Sequence, residues 1–264
     1  MRHKLLSFLV ITLFAYSSVN AVSIVSVEAT PQPSHVNVRI AYPQDLSYDK
    51  ANPVWVQVRL EGYSLGTNSS FPRAKQIANS DRGQSLHIVV DNKPYFPVSS
   101  PGIDPYDEVS DYFVESYKFL LPFDLKDGIH TLRIYCARSF GESLKNTGSF
   151  DSVYFYVGKK DNHKSVDLDG PILTYNEPSM RFFYEVGKPI LLDFLISNCE
   201  LSEDGYKVKV VIDDTHEEVL TNWQPHYIYG LKRGNHKINL ELLGPTNEPV
   251  GIPYNTANRV FIVH

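Results

Sequence analysis

The sequence predicts an all-β protein made of two tandem β-sandwich domains. Short segments that alternate apolar and polar residues occur throughout the 264 residues, separated by Gly, Pro, Asn and Asp, as in half-buried strands. Between these turn signals no stretch of about twelve residues keeps a helical period, although 70–79 could form a short helical turn. Finally, KDGIHTLRIYC at 126–136 recurs as KRGNHKINLEL at 232–242.

The N-terminus has the pattern of a cleavable secretory signal. Arg2 and Lys4 precede the apolar run 5–15, and Val19 and Ala21 are small residues two apart. We therefore predict a signal peptide over 1–21. An uncleaved membrane anchor would need about 20 apolar residues, and no cysteine follows the run to carry a lipid. The expected location is periplasmic or secreted in a bacterium, with no membrane span after cleavage.

The charge argues against a nucleic-acid-binding protein, and the cysteine content argues against a fold held together by disulfides. Removal of Arg2 and Lys4 leaves 23 basic and 30 acidic residues without a basic stripe, so we expect no nucleic-acid binding. The chain has two cysteines, too few for a disulfide framework. Cys136 shares a strand face with Leu132 and Ile134, which favours a buried thiol, and a bridge to Cys199 stays open.

The predicted strands divide into two series. Those of the first half are 35–40, 54–60, 86–90, 131–136 and 153–157, and those of the second are 190–196, 206–212, 237–242 and 259–263. The polar segment between the two series lacks an apolar anchor and predicts a linker. We therefore assign a first domain to 22–158, a linker to 159–170 and a second domain to 171–264.

The two halves align as a duplication. With Gly128 set on Gly234, His130 falls on His236, and Phe155 meets Phe261 without a gap. Upstream, the acidic turn 91–92 corresponds to 213–214. A repeat of about a hundred residues is too long for a solenoid and suits tandem domains.

The segments LKDGIHTLRIYCA and LKRGNHKINLEL, with an acidic turn after an earlier strand in each half, resemble the immunoglobulin-like and fibronectin type III-like modules of bacterial secreted and surface proteins. The resemblance covers 22–264 and implies two tandem immunoglobulin-like β-sandwiches. It specifies architecture and no activity. The chain departs from the pattern in lacking a Cys…Trp…Cys arrangement and in carrying long first-domain insertions at 62–83 and 97–111.

The motifs that suggest chemistry are incomplete. Period two places His130 and His236 on the inward strand face just after a turn, where a histidine can bind a turn carbonyl, so we expect a structural role. His216-Glu217-Glu218 begins like a zinc-protease motif, but Leu220 replaces the second histidine ligand. A nucleophile elbow, a phosphate-binding Gly-rich loop and a Cys-x-x-Cys pair are all absent from the sequence.

Binding residues are expected in the first domain's insertion loops and among the aromatics, because long loops often carry function. The candidates are Tyr106, Asp107, Asp111, Tyr112 and, in the repeat, Trp223. No cofactor is indicated apart from calcium, for which close-spaced carboxylates are weak candidates: Asp104, Asp107, Asp167 and Asp169.

The sequence thus favours a secreted, non-catalytic protein that binds a protein or a glycan at a host or envelope surface, with an exported bacterial effector as one context. Two alternatives stay open. One is a carbohydrate-active or other hydrolytic enzyme on a β-sandwich, and the other is a structural spacer.

Overall fold

The computed structural model describes residues 21–100, 114–159, 167, 169–251 and 254–264. These residues form strands and one turn of 3₁₀ helix, Pro72–Lys75, inside the segment that predicts a helical turn. The strands, in chain order, are β1 (Ser23–Ser26), β2 (Asn37–Tyr42), β3 (Tyr48–Asp49), β4 (Trp55–Glu61), β5 (Ser85–Val90), β6 (Phe96–Val98), β7 (Val114–Leu120), β8 (Gly128–Ala137), β9 (Phe150–Val157), β10 (Ile172–Glu177), β11 (Ile190–Ser197), β12 (Lys207–Ile212), β13 (His216–Leu220), β14 (His226–Tyr229), β15 (Gly234–Leu243) and β16 (Thr256–Val263).

Two sheets make up the first sandwich. One has the order β2-β4-β7 and the other β3-β9-β8-β5-β6, and only the short β3–β9 pair within them is parallel. Alternate residues of both sheets fill the core between them, among them Val38, Val56, Val58, Leu86, Ile88, Leu132, Ile134, Cys136 and Phe155. Cys136 is a buried free thiol in this core, as its strand face predicts, and Cys199 is half-buried and also free.

The second sandwich has the sheets β1-β14-β11-β10 and β13-β12-β15-β16. Its core includes Leu192, Phe194, Val208, Val210, Ile238, Leu240 and Phe261. Strand β1 covers the edge of β14, with Ser23 opposite Tyr229. The residues that follow the predicted signal therefore contribute a strand to the second sandwich, a pairing that the division at residue 22 does not anticipate. The predicted all-β fold with two sandwiches is confirmed.

The burial patterns distinguish the inner sheets, which are covered on both faces, from the outer sheets, which have one face toward solvent. In the outer sheet of the second sandwich, β15 alternates between buried and more exposed positions. In contrast, every residue of β5 and β10 is buried, as are seven of the eight residues of β11 and eight of the ten of β8. A strand buried along its whole length has both faces covered, so the two sheets that contain these strands pack against each other as well as against their own cores.

The duplicated Gly-x-His segments form the same corner in both sandwiches. His130 donates from Nδ1 to Asp91 Oδ2 at 2.8 Å and from Nε2 to the Lys126 carbonyl at 2.7 Å. His236 makes the same two contacts with Asp213 and Lys232, each at 2.7 Å. Both partners of each ring are acceptors, so a ring with a hydrogen on each nitrogen can donate both hydrogen bonds.

Each corner also fixes the backbone. Asp91 and Asp213 adopt φ values of 53° and 51°, a left-handed conformation that aspartate tolerates better than most residues. Their other carboxylate oxygens accept from the backbone nitrogens of Thr131 and Lys237. The histidines are thus rim residues that clamp the acidic turn, in agreement with the structural role expected from the sequence.

We predict that His130→Ala lowers the free energy of unfolding by about 1–3 kcal/mol at pH 5.5 and by less at pH 8.5. Burial lowers the pKa of His130, but its hydrogen bonds to Asp91 and the Lys126 carbonyl outweigh burial, and the pKa is raised from 6.5. A raised folded-state pKa gives stability that is complete below pH 6.5 and lost as the pH rises through the folded value. Urea unfolding at both pH values measures this. His35→Ala, at an exposed position, is the control. A loss that grows with pH would contradict the charged corner.

Candidate functional site

The candidate site is the seam, the interface between the five-stranded sheet of the first sandwich and the β1-β14-β11-β10 sheet of the second. The residues that form it point away from the two cores. From the first sandwich these are His87, Val89, Arg133 and Tyr135, and from the second they are Thr174, Asn176, Leu191, Asp193 and Leu195. Two apolar clusters cross the seam, one around Val89, Tyr95, Tyr135 and Leu195 and the other around Ile77, Phe140, Leu191 and Tyr227.

Asp193 is the polar centre of the seam. It lies on β11 with 0% exposure, and its Oδ1 accepts from Lys145 Nζ of the first sandwich at 2.6 Å. Oδ2 accepts from the backbone nitrogen of Ser143 at 3.0 Å and from its hydroxyl at 2.5 Å. Asn176 Nδ2 adds a fourth contact at 2.6 Å. A fully buried carboxylate needs this many donors because nothing else replaces its hydration.

Asn176 lies two residues after Thr174 on the same face of β10 and therefore also faces the seam. The pairing of β10 with β11 shifts register between Tyr175 and Glu177, which makes a β-bulge at this point. Asn176 Nδ2 donates to Asp193 and to the Gly141 carbonyl, so Oδ1 must be an acceptor. Tyr135 Oη donates to it at 3.1 Å, and His87 Nδ1 lies 2.8 Å away.

This arrangement fixes the state of His87. Since Asn176 Oδ1 only accepts, His87 carries its proton on Nδ1. Burial lowers the pKa of His87 to about 3, so the ring is neutral at physiological pH. Tyr95 stacks on it at 3.7 Å between ring centroids, with 8° between the ring planes.

Two arginines join the sandwiches at other points. Arg133 Nη1 donates to Thr174 Oγ1 at 2.7 Å, and Nη2 donates to the Asp91 carbonyl of the first corner. Burial lowers the pKa of Arg133 to about 10, which keeps it cationic near neutral pH. Arg73 pairs with the buried Glu142 and donates from Nε to Tyr227 Oη at 2.9 Å.

Glu177 is a buried carboxylate, and among the described residues it accepts hydrogen bonds only from hydroxyl groups. Tyr95 Oη of the first sandwich donates to it at 2.5 Å, Tyr184 Oη at 2.9 Å and Ser179 Oγ at 3.2 Å. Burial raises the pKa of Glu177 to about 7, because the three hydroxyls compensate only part of the lost hydration. The carboxyl group therefore titrates near neutrality inside the seam.

The predicted site residues fall into three groups. Tyr106, Asp107, Asp111, Tyr112 and Asp104 lie outside the described residues. Asp167 and Asp169 are exposed, and the Asp169 backbone nitrogen donates to Asp167 Oδ1 at 3.2 Å. Two carboxylates provide fewer oxygens than the six to eight that calcium takes. No group of three His, Cys, Asp or Glu residues suited to a metal occurs in the described part of the chain.

Trp223 lies at the seam. Its indole Nε1 donates to the Phe194 carbonyl at 2.9 Å, and Lys145 Nζ lies 5.5 Å from the ring centroid. The ring packs against the cluster of Val89, Tyr135 and Leu195. Its half-buried position makes it part of the scaffold around Asp193, and a ligand contact at Trp223 stays a prediction.

A different aromatic residue stands on a solvent-facing surface. On the outer face of the β2-β4-β7 sheet, Trp55 lies directly opposite Leu120, and the two are 43% and 42% exposed. Lys118 Nζ lies 5.5 Å from the Trp55 ring centroid. Arg39 and Arg59 are opposite each other on the same face. We call this surface, defined by Trp55, Leu120, Lys118, Arg39 and Arg59, the Trp55 face.

The alternation of apolar and polar residues within single strands does not reveal the seam. His87, Arg133 and Asp193 alternate with core residues, which is also what solvent-facing residues do. A signal was nevertheless present, because the same outward positions hold Val89, Tyr135, Leu191 and Leu195. Apolar residues on both faces of neighbouring strands indicate a sheet that is covered on both sides.

Comparisons with known proteins show the fold alone. No family model and no curated protein matches the chain. Fibronectin(III)-like modules of Clostridium thermocellum CbhA share 13% identity over 86% of this chain and 93% of theirs, with a TM-score of 0.29. The Bacteroides ovatus glucan-utilization protein SGBP-B, solved with a mixed-linkage heptasaccharide, shares 12% over 86% of this chain and 47% of its own, with a TM-score of 0.20.

The three N-terminal domains of the bacteriophage RB49 outer capsid protein Hoc share 11% identity over 87% of this chain and 70% of theirs, with a TM-score of 0.22. The likeness is to immunoglobulin-like and fibronectin type III-like sandwich modules. Separately, none of the described residues belongs to a helix long and apolar enough to span a membrane.

We predict that Asp193→Ala lowers the free energy of unfolding by about 3–5 kcal/mol, because it leaves the Lys145 ammonium buried without its partner. Glu185→Ala is the matched control, since it removes a carboxylate from an exposed pair with Lys188 and should cost about 0–1 kcal/mol. Equilibrium denaturation of both variants measures the difference. Equal losses from the two substitutions would show that the buried pair does not stabilise the seam.

Glu177 should make the stability of the protein depend on pH. A pKa raised from 4.5 to about 7 gives stability that is complete below pH 4.5 and lost as the pH rises toward 7. The stability of the wild type relative to Glu177→Gln should therefore fall by about 3 kcal/mol across this range.

Denaturant titrations of both proteins from pH 4 to 8 measure this fall. Burial lowers the pKa of His87 to about 3 and that of His226 to about 4, so these histidines make stability rise with pH. Both are present in the wild type and in Glu177→Gln, so their effect cancels in the difference between the two proteins. Glu185→Gln, on an exposed side chain, is the control for the loss of one carboxylate. A relative stability that does not change with pH would mean that Glu177 titrates normally.

Proposed function

We propose that the protein is an exported, non-catalytic binding protein whose two immunoglobulin-like sandwiches act as one rigid body. The observation that carries this proposal is the seam, in which Lys145 and Ser143 of the first sandwich hold the buried Asp193 of the second. Joined modules normally move relative to each other unless their interface is large and well packed. A buried ionic contact surrounded by apolar clusters opposes such motion, and the predicted signal peptide supports export.

The Trp55 face is the proposed contact surface. Trp and Arg are the residues that most often dominate binding energy at protein interfaces, and this face combines Trp55 with Arg39 and Arg59. An open sheet face suits a protein partner better than a small molecule, which needs a concave site. We therefore assign the partner as a protein with an acidic, partly apolar surface.

The first-domain insertion belongs to the same proposal through its place in the sequence. It leads into β7, the strand that carries Lys118 and Leu120. Tyr106, Asp107, Asp111 and Tyr112 stand before this strand in the sequence, and we include them in the proposed contact with the partner. Long insertions of this kind often carry binding residues.

The seam favours the spacer as the second candidate, because a fixed junction also sets the angle between two modules. The enzyme alternative gains less support. Asp193, Glu142 and Glu177 are the fully buried carboxylates of the seam, and the hydrogen bonds described above already engage them. A hydrolase would need an acidic pair open to its substrate.

We predict that Trp55→Ala weakens partner binding by at least tenfold, since removal of a central aromatic anchor commonly costs 2 kcal/mol or more. Val260→Ala, on an exposed residue of β16, is the matched control and should leave affinity unchanged. The mature protein first captures partners from envelope and host lysates. Each captured protein is then purified, and its Kd is measured by calorimetry with the wild type and both variants. Arg59→Glu should also slow association at low salt.

Three results would overturn the proposal. Captured proteins could bind Trp55→Ala as tightly as the wild type, which would exclude the Trp55 face. A glycan array could return a specific sugar whose binding needs Trp55, which would make the ligand a glycan. A hydrolase screen could find turnover by the wild type, which would restore the enzyme alternative.

A further inference from the structure

Two arginines of the Trp55 face lie directly opposite each other on neighbouring strands. Arg39 of β2 and Arg59 of β4 are partners in the antiparallel register. The backbone nitrogens of Val38 and Ile40 donate to Gly148 and to a side chain of β9 rather than to β4, so Arg39 is the residue that exchanges backbone hydrogen bonds with Arg59. The Cα atoms of such a pair are about 5.5 Å apart, and the two side chains project from the same face. The fold therefore holds two positive charges side by side.

The described part of the chain compensates these two charges poorly. Arg59 forms no salt bridge with a described carboxylate, not even with Glu61, the next exposed residue of β4. Arg39 Nη1 lies 3.9 Å from Asp151 Oδ1, a long contact on a side chain that is 60% exposed, and such a pair contributes little. Like charges directly opposite each other in a sheet are destabilising. The arrangement is thus unfavourable until a negative group approaches it.

The arginine pair lies at a fixed distance from the apolar end of the same face. Trp55 and Arg59 are four residues apart on β4, which at the usual rise of a strand is about 13 Å. Between them, Gln57 Nε2 donates to Ser116 Oγ at 3.2 Å, and Lys118, the register partner of Gln57, lies against the Trp55 ring. The aromatic anchor and the pair of cations are therefore the two ends of one line along β4.

We propose that Arg39 and Arg59 together bind one carboxylate of the partner protein, an aspartate or glutamate side chain that lies about 13 Å from the apolar group packed on Trp55. This inference rests on the proposed function, because it specifies the partner of the same face. The two oxygens of a carboxylate can each accept from a separate guanidinium, and such charge-assisted hydrogen bonds are among the strongest in proteins. The bound carboxylate also removes the repulsion between the two arginines.

The free protein gives the first test. Arg59→Gln relieves the repulsion in the pair, so the equilibrium constant for folding should rise about two- to fivefold in urea titrations at low salt. The gain should shrink at high salt, which screens exposed charges. Arg82→Gln is the matched control, because Arg82 is exposed and forms no salt bridge with a described carboxylate. It should not be stabilised, since the chain has more acidic than basic residues. A stability of Arg59→Gln at or below that of the wild type would overturn the proposal.

Calorimetry with each purified protein that the mature chain captures tests the contact itself. Arg39→Gln and Arg59→Gln should each weaken binding at least tenfold, and the double variant should lose little more than either alone, because both arginines hold the same carboxylate. Acidic residues of the captured protein are then replaced one at a time by the corresponding amides. One replacement should weaken binding to the wild type at least tenfold and binding to Arg59→Gln much less. Arg82→Gln should bind like the wild type.

Three results of the binding experiments would count against the carboxylate contact. Losses spread evenly over many acidic residues of the captured protein would indicate long-range attraction only. Loss of binding after phosphatase treatment of the captured protein would replace the carboxylate by a phosphate ester. Wild-type affinity of Arg59→Gln would exclude the arginine pair, and the proposed function would stand if Trp55→Ala still weakens binding. Wild-type affinity of Trp55→Ala would instead exclude the whole face, so the two proposals fail separately.

Discussion

The buried ion pair between Lys145 and Asp193 is the contact on which the arrangement of the two sandwiches depends. Asp193 lies in the middle of a strand whose neighbours Leu192 and Phe194 fill the second core, so its side chain must emerge on the opposite face of the sheet. There it is desolvated and accepts from four donor groups, three of them on Ser143 and Lys145 in a loop of the first sandwich. Separating the domains would leave both charges without these partners.

The polar contacts of Asn176, His87 and Tyr135 are linked to the position of Asp193. Asp193 also accepts from Asn176, which faces the interface from the neighbouring strand β10. The orientation of the amide in turn selects the Nδ1–H form of His87 and gives Tyr135 an acceptor. Apolar clusters flank this network, and such surroundings strengthen each polar contact and make an unpaired one more costly.

The sequence was informative wherever a structural feature leaves a local pattern. Alternating strands and the aligned Gly-x-His segments predict two sandwiches, and period two places His130 and His236 at their rims. The pairing of β1 with β14 leaves no such pattern, since four residues at the N-terminus could join any open edge. The seam was missed for a related reason, because a polar residue on an outward strand face looks the same in sequence whether it meets water or another sheet. Only the outward Val89, Tyr135, Leu191 and Leu195 pointed to a second covered face.

A distance distribution between the two sandwiches tests most directly whether they form one rigid body. Spin labels would be placed at Arg59 on the first sandwich and Val219 on the second, both exposed, in a background where the half-buried Cys199 is replaced by Ser. Pulsed electron spin resonance should give a single narrow peak, which should broaden when Asp193 is replaced by Ala. A broad or multiple distribution in the protein with Asp193 intact would contradict the account.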